Sequence, residues 1–455
     1  MAHSPSSSEH FRVVGPIGAV GIIVSAMIGS GIFTLTGMFG AKVGTEENVI
    51  AAWVIGGVLA LCGGLSLAEL GAMIPCSGGS VEFARRAFGR TTGYLVAMVT
   101  ILSGYFLSLA AVGLMLAEYV NKIAPEPLNL PLVAFAAITL AFLSQVVGLR
   151  AGYAFNTGLS ILKIAFVAAF VVFGLLWPLE ARIEPSAPAA TVETPGLLST
   201  AVAAATLSVS FAYLGWSTGA DIAGDIRRPG RNVPIGIIGA IAIVFALYIG
   251  VNLVYLRVID PLAMTEPNGA EMQAIGAVTA TQLFGPTAGK VLAGVIALLF
   301  FATIVSGTIT AARILESMAH AGEIGGWAGV RTAGGVPIRG LVVTLVASAA
   351  CLLIGDLGRI FDLLTVLINI FSSLSVGAVI VLRRTMPDAP RPFRVPLYPI
   401  TPLVYLALAG WSVVASVMQG GWSAILSSIA VVAGLLVLRP LLSHRKRPTQ
   451  GSRRA

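Results

Sequence analysis

Apolar runs of about twenty residues recur from near the start of this chain to near its end, separated by short polar or Pro/Gly-rich breaks. A helix rises 1.5 Å per residue, so such a run matches the ~30 Å hydrocarbon core of a bilayer. Only helices and closed barrels satisfy every backbone donor and acceptor in lipid, and runs this long and continuous read as helices. Candidate spans lie at 14–40, 48–73, 93–123, 130–148, 155–178, 197–222, 234–258, 287–312, 338–355, 360–382, 400–418 and 422–441. The longest breaks are 179–196, 259–286 and 313–337. With 56% hydrophobic and 11% charged residues, against about 25% charged in soluble domains, the chain could not cover its apolar surface in water.

The net charge is +8 and the sequence pI near 9.7. In a soluble protein that balance points to nucleic acid, but here no basic stripe alternates with aromatics as a nucleic-acid surface requires. The charges sit in the short loops. Twelve spans with a cytoplasmic N-terminus put 21 of the 28 Lys and Arg inside and six outside, namely Lys42, Lys122, Arg182, Arg257, Lys290 and Arg359. That asymmetry obeys the positive-inside rule, and losing one span would reverse every later loop. The expectation is a multi-pass protein of a bacterial-type plasma membrane with both termini cytoplasmic. The polar N-terminus is not a cleavable signal, and the basic tail 442–455 is expected to be disordered and to touch anionic lipid.

Catalytic and metal signatures are scarce. Cys62, Cys76 and Cys351 have no ligand spacing, and an odd count argues against a disulfide framework. His3, His10, His320 and His444 fall in tails or a loop, and there is no HExxH or Walker A pattern. No cofactor, no metal and no enzyme are expected, and ATP hydrolysis has no motif to carry it.

Two spans are interrupted. The first reads SAMIGSGIF (Ser25–Phe33), the sixth FAYLGWSTGAD (Phe211–Asp221). Most of the 52 glycines serve close helix packing. Gly29 and Gly31, and Gly215 and Gly219, differ in falling at corresponding places of two halves of five spans each, the best sequence pointer to a carrier's binding site. A broken helix offers free amides at one end, suited to a carboxylate, and free carbonyls at the other, suited to an ammonium. A ligand bearing both groups is an amino acid. Lys163, mid-way along the fifth span, is either a snorkelling lysine or, facing inward, a group able to trade a proton. Glu69 and Asp225, near the cytoplasmic ends of spans two and six, read as interfacial carboxylates or as an ionic inner gate with Arg85, Arg86 or Arg313. Asp221 is the only carboxylate beside the breaks that would favour a cationic side chain.

The segments GSGIF, LAELGAMIPCSGGSVEFARRAFG (Leu67–Gly89), FAYLGWSTGADIAGDIRRPGRNVPIGI (Phe211–Ile237) and RRTMPDAPRPFRVPLYP (Arg383–Pro399) resemble, in this order, the amino acid–polyamine–organocation transporter superfamily. They are most similar to the L-type amino acid transporter branch and its bacterial serine/threonine and alanine exchangers. The resemblance implies an all-α membrane protein of the leucine-transporter type: an inverted repeat of five plus five helices, 14–178 and 197–382, two further helices in 400–441, and cytoplasmic tails 1–13 and 442–455. It implies substrate carboxylate binding at the amides of Ser30, Gly31 and Ile32, with Gly29 and Gly215 leaving room. The α-amine would meet the carbonyls of Met27, Phe211 and Leu214, with Phe211 closing over the substrate. Lys163 would stand where other members hold sodium, with an eighth-helix partner near Ser306. Two departures stand out. The outer loop after helix three, APEPLN, lacks the cysteine that would bond a heavy subunit, so no covalent partner is expected. Asp225 stands where relatives often have Glu. The function expected is sodium-independent, alternating-access transport or exchange of neutral L-amino acids, with possible proton coupling. Cationic amino acids or polyamines are the second substrate class, and a receptor or channel with this fold is the alternative of another kind.

Overall fold

The computed structural model describes residues 12, 14–76, 78–147, 149–185, 195–266, 269–320, 322–332, 336–420 and 422–442, the side chains of 147–161, 420, 424, 441 and 442 excepted. The tails 1–11 and 443–455, the second of which the sequence predicts to be disordered and to touch lipid, lie outside these residues. The described chain is almost wholly helical, with three isolated bridges and no longer strand pairing.

In chain order the helices are α1 (Pro16–Met27), α2 (Gly31–Val43), α3 (Glu46–Met73), α4 (Gly79–Phe88), α5 (Arg90–Asn121), α6 (Leu130–Val147), α7 (Leu149–Leu176), α8 (Thr200–Ala212), α9 (Thr218–Asp221), α10 (Pro229–Val258), α11 (Ile275–Phe284), α12 (Pro286–His320), α13 (Ile338–Leu352), α14 (Leu357–Thr385), α15 (Ile400–Gly420) and α16 (Ser423–Leu442). Among the described residues six helices are long and apolar enough to cross a bilayer: α3, α5, α10, α12, α14 and α15. The pair α1 and α2, bent by 43°, makes a seventh when taken together, and further apolar helices are shorter. The protein is a multi-pass membrane protein.

Local chemistry explains where these helices begin. Thr45 caps α3 by accepting from Asn48 N at 3.2 Å, Ser199 caps α8 through Val202 N at 3.3 Å, and Asp356 caps α14 through Arg359 N at 2.8 Å. Pro16 and Pro229 open α1 and α10, where a missing N–H costs nothing. The core is continuous and runs along α3, α10 and both broken helices, with Trp53, Tyr213, Tyr248 and Tyr255 fully buried in it.

Three features lie where the sequence predicts loop or plain helix. The helix α4 occupies the loop between the second and third spans, α11 sits in the long break 259–286, and residues Leu102–Leu107 form a π turn inside α5. Near the entry to α1 the chain pairs with the segment after α9: Val14 N donates to Asp225 O at 3.1 Å and Arg227 N to Val14 O at 2.9 Å. The two broken spans are thereby tied together below their breaks.

Candidate functional site

The first break is residues 28–30, between α1 and α2. Ile28 N still donates to Val24 O at 2.9 Å, after which the helical ladder stops. The next helix begins at Gly31, and its N-cap Ser30 makes no side-chain cap bond. A helix start leaves its first amides without intrahelical partners and carries partial positive charge. Here that start is buried, and the hydroxyls of Ser30, 2% exposed, and Thr34, fully buried, have no hydrogen-bond partner. Buried polar atoms are normally satisfied, so these two hydroxyls beside the first break are candidates to bond a polar group there.

The second break is residues 213–217, between α8 and α9. Leu214 N turns back to Phe211 O at 3.0 Å and Thr218 N to Gly215 O at 3.0 Å. Gly215 holds φ of 109°, open to glycine alone among ordinary residues. It also has no room for a side chain: a Cβ there would lie 2.7 Å from Ala26 C and 2.9 Å from Met27 N. A Cβ on Gly31 would in turn lie 2.7 Å from Ala212 Cβ. Each break therefore rests against the backbone of the other. Gly29 is different, since a Cβ there would meet nothing closer than Met27 O at 4.0 Å.

Tyrosines hold this arrangement. The Tyr248 hydroxyl, on α10, lies 2.8 Å from Met27 O and 3.0 Å from Ala212 O, so one phenol bridges the last carbonyls of α1 and α8. Two turns further along α10, the Tyr255 hydroxyl donates to Ile32 O at 3.2 Å, and Tyr119 of α5 donates to Phe33 O. Behind them, Trp53 Nε1 donates to Thr36 Oγ1 at 3.0 Å, Thr36 Oγ1 donates to Asn252 Oδ1 at 2.5 Å, and Asn252 Nδ2 donates to Tyr248 O at 2.7 Å. This network joins α2, α3 and α10. Sequence reasoning misses all three tyrosines. The seven-residue spacing of Tyr248 and Tyr255 is the signal that could have found two of them, because it puts both on one face of a helix.

Phe211 meets Phe361 of α14 edge to face, with ring centroids 4.9 Å apart. Beside it, Asn369 Nδ2 donates to Ser210 Oγ at 2.7 Å. Lys163 is 8% exposed, and its Nζ donates to Thr303 Oγ1 at 2.9 Å. The eighth-span partner is thus Thr303, one helical turn before the expected Ser306, whose carbonyl accepts from Thr310 Oγ1 at 2.8 Å.

The inner-gate expectation needs correction. Glu69 is fully buried and is held by Arg383 (Nε to Oε1, 2.8 Å), by the Val395 amide (2.7 Å to Oε2) and by Arg391 (3.3 Å), not by Arg85, Arg86 or Arg313. Those partners lie in and after α14, over 300 residues away, beyond the reach of any local pattern. Asp225 and Arg313 are exposed. Arg86 pairs with Glu82 at 2.8 Å, and Arg85 pairs with Glu82 and Glu323. Asp221 is occupied as well: its Oδ1 accepts from Ser80 N at 2.9 Å and Ser80 Oγ at 2.7 Å. Among the described residues no group of three or more His, Cys, Asp or Glu is placed to hold a metal ion.

A model of the amino acid permease family matches residues 14–436. The chain belongs to that family. Members resembling it include a serine/threonine exchanger of Bacillus subtilis (strain 168), 25% identical over 434 residues that cover 94% of this chain and 96% of the relative. The large neutral amino acids transporter small subunit 2 of Mus musculus is 27% identical over 412 residues, covering 87% and 74%. A methylthioribose transporter of Bacillus subtilis (strain 168) is 26% identical over 416 residues, covering 85% of each. In this permease-family chain the matched segment takes in both breaks, Lys163 and the Glu69 cluster.

Proposed function

We propose that this chain is a sodium-independent secondary carrier or exchanger of neutral L-amino acids, working by alternating access in a bacterial-type plasma membrane. The observation that carries the reading is the contact of two helix breaks inside one core, with an uncapped helix start at the first break and one helix-end carbonyl from each break, Met27 O and Ala212 O, close together beside it. A zwitterion complements both poles at once.

In this reading the substrate carboxylate lies at the amides of Ser30, Gly31 and Ile32, with the Ser30 hydroxyl as a further donor. The ammonium lies at the carbonyls of Met27, Phe211 and Leu214, Gly29 and Gly215 leave the room, and Phe211 closes over the ligand. The preference for neutral side chains is supported by Asp221, whose carboxylate oxygen already serves Ser80. Lys163, tied to Thr303, supplies a fixed positive charge where sodium would otherwise sit, and Ser306 lies on the same helix one turn further on. We read the chain as twelve spans, five plus five plus two, with both termini cytoplasmic: the six long helices, the bent pair α1–α2, and five of the six shorter apolar helices, with the ten-residue α11 left as part of a connection. We read the chain as working without a covalent heavy subunit, a cofactor or a catalytic step.

Reconstitution into proteoliposomes and uptake of labelled serine, in sodium-free buffer with and without a pH gradient, tests the proposal. Unlabelled serine and leucine should compete, and preloaded amino acid should accelerate uptake. Competition only by arginine or putrescine would move the substrate to the cationic class, competition only by methylthioribose would move it out of the amino acids, and non-saturable flux would favour a channel.

A further inference from the structure

The helix α4 is short and amphipathic and lies outside the binding site, yet it is held at both ends by distant parts of the chain. Its own N-cap, Gly78, has φ of 72° and offers no side chain to its first turn. The cap comes from Asp221, 141 residues away, which ends α9 one turn after the second break. Asp221 O accepts from Gly78 N at 2.8 Å, and Asp221 Oδ1 accepts from both the amide and the hydroxyl of Ser80. The fit is tight, since a Cβ on Gly79 would lie 2.5 Å from Ala220 O. The Ser80 carbonyl accepts from Ser375 Oγ of α14 at 3.3 Å.

At the other end, Arg85 reaches Glu82 one turn back and, across a gap between elements, Glu323 just beyond the end of α12. The long helix α12 is the one that carries Thr303, the partner of Lys163. One rigid helix of ten residues thus runs from the inner half of the broken sixth span to the inner end of α12.

We propose that α4 is a coupling rod: Asp221 is a positioning residue that fastens the rod to the second break, and the Arg85–Glu323 pair fastens it to α12. A movement of α9 relative to α12 then either carries α4 along or breaks one of the two attachments, so these attachments set the relative energies of the carrier's states. The proposal builds on the carrier reading, but its main test does not need a substrate.

Cys76 stands two residues before Gly78, at the α9 end of the rod, and is partly exposed. In a Cys62→Ala, Cys351→Ala background the full-length protein carries Cys76 as its single thiol. The rate of its labelling by a soluble maleimide is then compared for the parent, Asp221→Ala, Glu323→Ala and the double variant. Loss of a helix cap is strongly felt at a helix start, so roughly fivefold faster labelling is expected for Asp221→Ala. A similar increase is expected for Glu323→Ala, although Glu323 lies at the far end of the helix. The double variant should label no faster than the faster single variant, and Asp221→Asn, which keeps an acceptor at Oδ1, should stay near the parent. Should Asp221→Ala fail to fold, Ser80→Ala replaces it in the same cycle. Parent-like labelling in Glu323→Ala, or effects that multiply in the double variant, would overturn the rod. Amino-acid uptake by the parent in the same vesicles is read separately: its absence would sink the carrier reading while leaving the labelling result intact.

Discussion

At Gly31 a single hydrogen atom separates two helices. A side chain there would meet Ala212 before it met any substrate, because the Cβ–Cβ distance would be 2.7 Å and the Cβ–Cα distance 2.9 Å. Overpacking of this kind costs about 1–3 kcal/mol, and here it would force apart the two breaks. Gly31→Ala should therefore lower uptake by about tenfold or more, and Gly31→Val should abolish it. The cause is testable because the closest contact can be removed: Ala212→Gly added to Gly31→Ala takes away the 2.7 Å contact, leaves Ala212 Cα at 2.9 Å, and should restore part of the uptake. No recovery would mean that the loss does not come from the Ala212 methyl. Tyr248 works from the other side of the same contact. Removing its hydroxyl in Tyr248→Phe leaves Met27 O and Ala212 O without their shared partner, at a cost of about 1–3 kcal/mol for unsatisfied buried groups. A lowered melting temperature together with slowed exchange is the expected outcome, and unchanged values for both would show that the bridge carries nothing.

Among the elements, the clearest tie is Glu69. One carboxylate near the C-terminal end of α3 binds Arg383 at the end of α14, and also Arg391 and the Val395 amide in the segment leading to α15. Arg391 in turn donates to the carbonyls of Leu382 and Met386, closing the C-terminal end of α14. Removing the charge of a buried, hydrogen-bonded pair is strongly destabilising, about 3–5 kcal/mol, since the partner charges stay behind. Glu69→Gln should lower the detergent melting temperature by several degrees while leaving substrate competition profiles unchanged in the protein that folds; a shift in substrate preference would argue for a gate after all. The sequence exposes one half of this tie, a carboxylate beside an apolar run, but not its partners, because pairing across more than 300 residues leaves no local trace. The same limit explains α4 and α11. Each has ten residues, too short for a spanning pattern, and each is stabilised by tertiary packing rather than by its own apolar period. The two breaks are legible for the opposite reason: glycines inside otherwise continuous apolar runs are a local signal. The resemblance implies a partner near Ser306, and the lysine bonds Thr303 one turn away, since a resemblance does not fix which rung of α12 faces Lys163.

The whole molecule is asymmetric about the breaks. On the side where α2 ends, the loop between α10 and α12 is pinned down: Lys42 pairs with Glu271 at 2.5 Å, Lys122 with Glu266 at 2.8 Å, and Arg182 with Glu46 at 2.6 Å and Asp260 at 3.3 Å. Beneath that loop, Gly37 and Gly40 lie directly under Met272 and Met264, and α2 is buried continuously from Gly31 to Gly37. On the other side, α1 has an exposed stripe at Ile17, Gly18, Gly21, Ile22 and Ala26, with Ser25 and Gly29 partly exposed along the same arc. Steps of three and four residues keep that stripe on one face from the N-terminal end of α1 to the break. On the proposed reading, a binding site between the two breaks is reached along α1 from the side on which the N-terminus lies. A single cysteine at Ala26, in a background without the native thiols, should be labelled by a membrane-impermeant maleimide added to the N-terminal side of oriented vesicles, and a saturating neutral amino acid should protect it. A cysteine at the fully buried Thr34, one turn before Gly37, should resist the same reagent from the opposite side. An unreactive Ala26 cysteine would mean that the stripe faces lipid rather than water, and labelling of Thr34 from the outer side would mean that the ion pairs do not close that face.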